Sequence, residues 1–276
     1  MTPDLDAVAS VWLLTRFMPG WDKAGVKFVP AGKTLDGEVV DSDGEILHVD
    51  TGMGMLDHHQ TNEDTCAAKR TLEYITESGK RKAESKKFPD ESLVRLVDIV
   101  NDIDHFRDAY YPNPTADFYD FSLVGALDGW KLLYPDDNDK LLELGMVSLD
   151  GVYKKLQDKV WAEKEIAEKA VPFISMWGKA FGIETVNDEV VRLGQKQGYV
   201  LVARKDPHKS YVRIKGLPNS KVDLEDAYIK LKKKDPEATW YLHASHKMLL
   251  NGSMKNPMTK PTNLTLREII DVLKKN

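Results

Sequence analysis

Carboxylate and imidazole side chains recur at short spacing near the start of the chain. Asp4 and Asp6 lie two residues apart before an apolar run, Asp50 ends the run EILHVD, and the triplet DHH occupies positions 57–59. In a parallel α/β sheet, ligands bind where strands end and loops converge. Carboxylates that meet there repel one another unless cations neutralise them. Carboxylates with imidazoles suit Mn²⁺, Fe²⁺ or Zn²⁺, so the pattern predicts a metal site.

Each piece of this pattern also has a structural explanation. Asp4 and Asp6 are typical helix-cap residues, and we expect Asp6 to cap the first helix. Asp50, with Thr51 and Gly52, is an ordinary turn after a strand. The adjacent histidines after Asp57 are harder to explain in this way, and the joint occurrence in this order favours a metal site.

A further acidic cluster closes the run VDIVNDIDHF, in which Asp98, Asp102 and Asp104 precede His105. These acids can be the polar face of a helix. Asp104 is the preferred ligand because it lies at the helix end beside His105. Asp102 is the second choice.

Composition limits the classes of protein and ligand. With 276 residues, 42% of them hydrophobic and 30% charged, the chain suits one large or two modest soluble domains. It contains neither an apolar run of about 18 residues nor a secretory signal, and its single cysteine, Cys66, suits a reducing compartment. We therefore expect a cytoplasmic protein without membrane contact. The net charge of −5 argues against a long nucleic-acid duplex as partner.

Apolar periodicity predicts alternating helices and strands in the first half. Helices are expected over DAVASVWLLTRFM, DTCAAKRTLEYITESG and ESLVRLVDIVNDIDHF, and strands over GVKFVPAG and EILHVDTG. This alternation predicts an α/β fold with a parallel sheet and crossover helices. The predicted metal-binding domain covers residues 1–130.

A charged helical connector is predicted over residues 131–188, followed by a smaller α/β domain over 189–276. Strands are expected at VVRLGQ, GYVLVARK, SYVRIKGLP and TWYLHAS, and helices at DLEDAYIKLKKK and TLREIIDVLKK.

The motifs PDLDA, VDTG, DHH and NDIDHF, within residues 1–110, resemble those of the DHH phosphoesterase superfamily. That group includes RecJ-like exonucleases, nano-RNases, cyclic-dinucleotide phosphodiesterases and family II pyrophosphatases. The resemblance implies a hydrolase with two divalent metal ions, usually Mn²⁺. It also implies that Asp57 orients the site and that His59 faces the phosphate. We expect His105, like His59, to bind the substrate. The implied metal ligands are Asp4, Asp6, Asp50, His58 and either Asp104 or Asp102.

One departure from the superfamily pattern concerns its first motif. A histidine usually precedes the Pro-Asp-x-Asp segment at the end of a strand, whereas this chain begins Met1-Thr2-Pro3. We expect the true start to lie upstream. Otherwise this form lacks one ligand and the strand that positions it.

The second half resembles, more weakly, the substrate-binding domain of these enzymes, called DHHA1. Arg213 in YVRIKG matches a strand arginine, and His246 falls at the position of a histidine in a Gly-Gly-Gly-His loop. The three glycines are replaced by His243, Ala244 and Ser245. Side-chain donors could replace the glycine backbone in binding a phosphate. These are Lys247, Asn251 and Ser253.

The leading hypothesis is a metal-dependent phosphodiesterase or exonuclease acting on a small phosphorylated substrate or short oligonucleotide. A pyrophosphatase or exopolyphosphatase is the alternative within the superfamily. A catalytically degenerate protein that binds a nucleotide or a partner is the alternative outside enzymes. A homodimer remains open as the oligomeric state.

Overall fold

The computed structural model describes residues 2–78, 88–253 and 256–274. The chain divides into two units, Met1–Leu156 and Gln157–Asn276. Among the described residues, no helix has both the length and the apolar composition to cross a membrane. The predicted ends of two helices, Gly79 and Lys275, lie outside the described residues.

Helices form the first unit. α1 (Leu5–Phe17) packs with α2 (Ala67–Glu77) and α3 (Glu91–Asp104), followed by α4 (Leu123–Leu133) and the long α5 (Asn138–Lys169), which continues into the second unit. Short 3₁₀ turns cover Leu35–Gly37, Arg107–Tyr110 and Asp117–Tyr119. α1 is the centre of the core, because its apolar residues are buried on several sides. They include Val8, Ala9, Trp12, Leu13 and Leu14. The three helices predicted from the 3.6-residue period over α1–α3 are confirmed.

The predicted parallel sheet of the first unit is wrong for the residues that the structure describes there. GVKFVPAG and EILHVDTG form no strand, and their one ladder contact is an isolated bridge between Val49 and Leu56. Their apolar side chains pack against the helical core instead, including those of Phe28 and Leu47. The apolar runs therefore reflect burial against helices, since neither segment finds a neighbouring strand with which to pair.

The second unit is a six-stranded mixed sheet covered by helices. Its strands are β1 (Val171–Ser175), β2 (Gly178–Glu184), β3 (Leu201–Lys205), β4 (Val212–Gly216), β5 (Trp240–Leu242) and β6 (Met248–Asn251). The order is β1-β2-β3-β4-β6-β5, in which β2 and β3 pair in parallel and the other described pairs are antiparallel. α6 (Glu189–Lys196) forms the crossover between the parallel strands. α7 (Glu225–Lys234) and α8 (Leu266–Leu273) cover the opposite face.

Two predictions for this region are wrong. VVRLGQ lies in α6 rather than in a strand, because Val190, Val191 and Leu193 form one buried helical stripe against the sheet. The predicted helical connector contains β1 and β2, and the boundary between units falls inside α5 at residues 156 and 157. The predictions of β3, β4, β5, α7 and α8 are confirmed.

Asn251, the last residue of β6, joins three segments of the second unit. It is fully buried, its amide nitrogen donates to the carbonyls of Thr239 (2.9 Å) and Lys260 (3.1 Å), and its amide oxygen accepts from the backbone N–H of Thr262 (2.7 Å). All of its hydrogen-bonding groups therefore serve the fold.

We predict that Asn251→Ala destabilises the protein by about 2–4 kcal/mol, because buried backbone groups lose their partners. Urea unfolding measures the change. Asn263→Ala is the matched control, since Asn263 is exposed and its loss should change stability by less than about 0.5 kcal/mol. Equal effects of the two substitutions would contradict the structural role of Asn251.

Candidate metal centre

The two acids at the start of the chain cap different helices. Asp4 caps α1, because its Oδ1 accepts from the N–H of Ala7 at 2.9 Å. Asp6 is buried and accepts from Ala67 (2.7 Å) and Ala68 (2.8 Å), the first two residues of α2. The prediction that Asp6 caps α1 is therefore wrong. Its partners lie 61 and 62 residues away in sequence, so no local signal indicated them.

A tight loop brings Asp50 beside the DHH triplet. Asp50 has a φ of +53° and its N–H donates to the carbonyl of Leu56 at 3.0 Å, so the chain returns on itself within six residues. Asp57 is almost fully buried and accepts from the backbone N–H of Met53 (2.7 Å) and of His59 (3.1 Å). It also lies 2.7 Å from the His59 ring Nδ1. Burial alone would raise the pKa of Asp57, but these hydrogen bonds outweigh it and lower the pKa.

Three carboxylates surround the His58 imidazole. Its Nε2 lies 3.6 Å from Asp50 Oδ1, 3.6 Å from Asp104 Oδ2 and 3.8 Å from Asp6 Oδ2. These separations exceed hydrogen-bond lengths. They match two ligands of one cation, which are held roughly 3–4 Å apart when each lies about 2.0–2.2 Å from the ion.

The candidate ligand atoms form two overlapping groups, each with its members within 4.8 Å of one another. One contains Asp6, His58 and Asp104, and the other contains Asp50, His58 and His59. Asp4 lies outside both groups, but its charge contributes to the raised pKa values of Asp50 and Asp104. The two groups share His58, so they are overlapping sets of candidate ligands around one imidazole.

Within the part of the chain that the structure describes, two atoms of the centre lack a hydrogen-bond partner although solvent does not reach them. They are Asp50 Oδ1 and His58 Nε2. Burying polar atoms without partners is costly, and both atoms face candidate ligands at distances too long for a hydrogen bond. A cation would satisfy both at once. The residues present therefore fit a divalent metal ion with mixed oxygen and nitrogen ligands.

The carboxylates of the centre are poised to hold protons in the absence of a cation. Burial, with the charges of neighbouring acids, raises the pKa of Asp50 to about 9. Burial raises the pKa of Asp6 to about 6 even though the α2 backbone hydrogen bonds oppose the shift. Burial also raises the pKa of Asp104. Like charges in a poorly solvated space favour the neutral form.

The end of α3 separates the two alternative ligands. Asp104 faces His58, whereas Asp102 accepts from Arg107 at 3.0 Å. Arg107 also donates to Asp64 at 2.7 Å. His105 lies beside the centre, with its Nδ1 at 3.7 Å from Asp104 and 2.8 Å from the carbonyl of Asn101. Asp98 is exposed on α3. The structure therefore brings Asp104, and not Asp102, to the centre.

A cavity of about 290 Å³ opens beside these acids. Asp4, Asp6 and Asp104 line it, together with two residues of α4 that the sequence did not single out, Asp128 and Lys131. Their spacing of three places both on one helix face, and they pair at 3.0 Å. The sequence did not predict where α4 packs, so the spacing of Asp128 and Lys131 did not indicate that they line this cavity.

The predicted substrate-binding residues of the second unit have varied environments. Arg213 is half-buried and pairs with Asp188 at 2.7 Å, and His246 Nδ1 lies 3.2 Å from Asp223. Ser253 forms an isolated bridge with Asn256.

Two other side chains predicted to bind substrate make hydrogen bonds within the fold. The Lys247 ammonium donates to the carbonyls of Ser220 (2.8 Å) and Val222, so it secures the loop before α7. Asn251 is fully buried among the backbone groups described above. Both side chains are hydrophilic in type, and sequence alone did not reveal that the fold uses their donors.

Comparisons with known proteins find one similar solved structure. No family model matches the chain, and no curated protein matches it. The chain is similar to a solved structure described as a DHH domain from a member of the s1p family of ribosomal proteins, with 13% identity and a TM-score of 0.33. The similarity covers 75% of this chain and 45% of that one, so the chain spans less than half of that protein's length.

We predict that the metal-free protein loses stability as pH rises from about 4 toward 9. Folded Asp50, whose pKa is about 9, keeps a proton that the unfolded chain releases near pH 4. Raising the pH across this window therefore favours the unfolded chain. Asp6, with a pKa of about 6, adds to the loss between about pH 4 and 6.

Urea unfolding in chelator at about pH 5, 7 and 9 measures this dependence. Asp50→Asn should lose at least about 1 kcal/mol less than the wild type between the first and last pH. The exposed Asp43→Asn is the control and should follow the wild type. An unchanged pH dependence in Asp50→Asn would contradict the prediction.

Proposed function

We propose that the chain is a metal-dependent phosphoesterase of the DHH type. The observation that carries this proposal is the group of buried Asp6 and partly buried Asp50 and Asp104 around a His58 nitrogen that has no hydrogen-bond partner among the described residues. Such a group is unfavourable by itself and favourable around divalent cations. The ligand types, carboxylate and imidazole together, support Mn²⁺ over Mg²⁺ or Ca²⁺.

The proposed ligands of two cations are Asp4, Asp6, Asp50, His58 and Asp104. Bound divalent cations lower the pKa of water to give a nucleophile at neutral pH and stabilise negative charge on a phosphoryl group. Asp50, whose Oδ1 lies 3.6 Å from His58 Nε2 and 3.7 Å from His59 Nδ1, would be the ligand nearest to both histidines. The α2 backbone holds Asp6, so the ligand keeps one orientation.

His59 is the proposed phosphate-facing residue. Its side chain is 55% exposed, whereas the Asp57 carboxylate beside its Nδ1 is buried. When Nδ1 donates to Asp57, the ring orientation is fixed and Nε2 is left to face a substrate. A protonated His59 would then donate a hydrogen bond to a phosphate oxygen. Asp57 acts through His59 and is a positioning residue.

The proposed substrate is a small or short-chain phosphodiester, such as a dinucleotide or short oligonucleotide. The net charge of −5 opposes a long nucleic acid, and the cavity beside the acids is small. Arg213, half-buried in the second unit, is proposed to bind a phosphate within that unit. Pyrophosphate or polyphosphate remains the alternative substrate class.

A protein that binds nucleotides without hydrolysing them is the second candidate. The engagement of Lys247 with backbone carbonyls, at the loop where phosphate binding was expected, favours it. A phosphoesterase hydrolyses its substrate, whereas a binding protein does not, so an assay of hydrolysis distinguishes the two candidates.

We predict that Asp104→Asn weakens Mn²⁺ binding at least about 10- to 100-fold, because it removes a proposed ligand. Removing a residue that only hydrogen-bonds to a metal ligand already weakens metal binding by about this factor. Isothermal titration calorimetry measures the affinity. Asp102→Asn is the matched control, since Asp102 binds Arg107 instead, and it should change the affinity by less than about threefold. Equal weakening by the two substitutions would contradict the assignment of Asp104.

We predict Mn²⁺-dependent hydrolysis of at least one member of a panel containing a linear dinucleotide, a short oligoribonucleotide, bis-p-nitrophenyl phosphate and pyrophosphate. Chelator should abolish the activity, and Asp50→Asn and His58→Ala should lower kcat/KM by at least about 100-fold. The preferred panel member names the substrate class.

Asp43→Asn, which is exposed and belongs to none of the motifs, should keep full activity. Dinucleotide binding without turnover, with any of the divalent metals, would replace the phosphoesterase by the binding protein.

A further inference from the structure

Phe106 has an unfavourable backbone conformation for its residue type. It follows His105, the C-cap residue of α3, with φ +54° and ψ +26°, and its N–H donates to the carbonyl of Ile103 at 2.9 Å. A residue after a helix end often adopts this left-handed conformation, but glycine or asparagine usually occupies the position. For a bulky side chain a positive φ is an outlier. Such outliers cluster at functional sites.

The side chain of Phe106 is also unfavourably placed for a monomer in water. Its surface is 79% exposed, although it is a large apolar ring. Neither the turn after α3 nor the packing of the core explains a phenylalanine here, since glycine would satisfy the turn at lower cost. The position therefore combines two costs in one residue.

Phe106 lines the cavity of about 290 Å³ that contains the candidate metal ligands Asp4, Asp6 and Asp104. Aliphatic side chains line the same cavity. They are Leu5, Val100, Ile103, Val124 and Leu127. The carboxylates of this cavity suit cations, and bound cations would attract a phosphate. The same cavity is also lined by an aromatic ring and by aliphatic side chains. A ligand that matches both has a phosphate joined to a planar ring.

We propose that Phe106 is a specificity-determining residue that stacks on the nucleobase next to the scissile phosphodiester. This inference rests on the proposed function and deepens it, because it selects nucleotides over inorganic polyphosphates. Bases stack on aromatic side chains with little dependence on base identity. The residue therefore discriminates a base from its absence rather than one base from another.

The test is steady-state hydrolysis of the dinucleotide ApA and of glycerophosphoglycerol, a phosphodiester without a ring, with Mn²⁺. Phe106→Gly should raise KM for ApA about 10- to 100-fold, more than it changes kcat, and lower the preference for ApA over the ring-free diester. Phe106→Trp should restore a low KM. Phe121→Ala removes another exposed phenylalanine, outside the cavity, and should behave as the wild type.

Thermal unfolding separates this role from a structural one. Because glycine suits the left-handed conformation, the Tm of Phe106→Gly should be unchanged or rise by about 1–4 °C. A lower Tm together with an unchanged KM would overturn the proposal and assign Phe106 to the fold. A wild-type enzyme that prefers pyrophosphate or the ring-free diester would also overturn it while leaving the phosphoesterase intact.

Binding of a fluorescently labelled ApA decides the remaining case, in which no substrate is hydrolysed and the proposed activity is wrong. At least fivefold weaker binding by Phe106→Gly than by the wild type, with binding regained in Phe106→Trp, would support the stacking role. Equal binding by the wild type and Phe106→Gly, or no binding by the wild type, would overturn it.

Discussion

Three carboxylates around one imidazole, one of them buried and two partly buried, are the constraint on which the first unit depends. Asp6, Asp50 and Asp104 come from α1, a tight loop and the end of α3, and each lies within 4 Å of His58 Nε2. Without a bound cation, bringing three carboxylates this close together is unfavourable, because desolvation and mutual repulsion both oppose their charged forms. The elements that carry the acids must therefore be stabilised by other contacts strong enough to hold them together.

Several polar residues near the centre also serve the fold. Asp6 caps α2, Asp4 caps α1, and Asp57 holds the DHH loop through the backbone of Met53 and His59. These contacts can form whether or not a cation is present. Without a cation, the raised pKa values of Asp50 and Asp104 allow protons to neutralise these two carboxylates. A proton and a cation then compete for the same oxygen atoms, so metal affinity at this centre should depend on pH.

The sequence predicted those features that local spacing determines. α1, α2 and α3 follow from apolar periods, and the proximity of Asp50 to DHH follows from the short chain between them. Contacts with distant partners were not predictable in this way. Asp6 binds backbone groups 61 and 62 residues away, and Asn251 and Lys247 are engaged by loops that sequence could not place. The prediction of a parallel sheet in the first unit was wrong for the same reason. An apolar run can be buried against a helix as well as in a sheet, and only its distant partners decide which.

The choice between Asp102 and Asp104 was present in the sequence as helical phase. Asp104 lies four residues after Val100 and seven after Val97, both buried, so it continues the inward stripe of α3. Asp102 lies two residues after Val100 and points elsewhere. Helical phase therefore adds a second reason for the preference of Asp104 over Asp102.

The end of α3 also gathers features that a stable helix would avoid. Asp104 places a negative side chain at the negative end of the helix dipole, and the last turn has no basic residue. Phe106 follows with a positive φ and an exposed ring. Both residues line the same cavity. Because an acid at this end becomes favourable beside a cation and an exposed ring becomes favourable against a flat ligand, one bound phosphodiester with its metals would account for both.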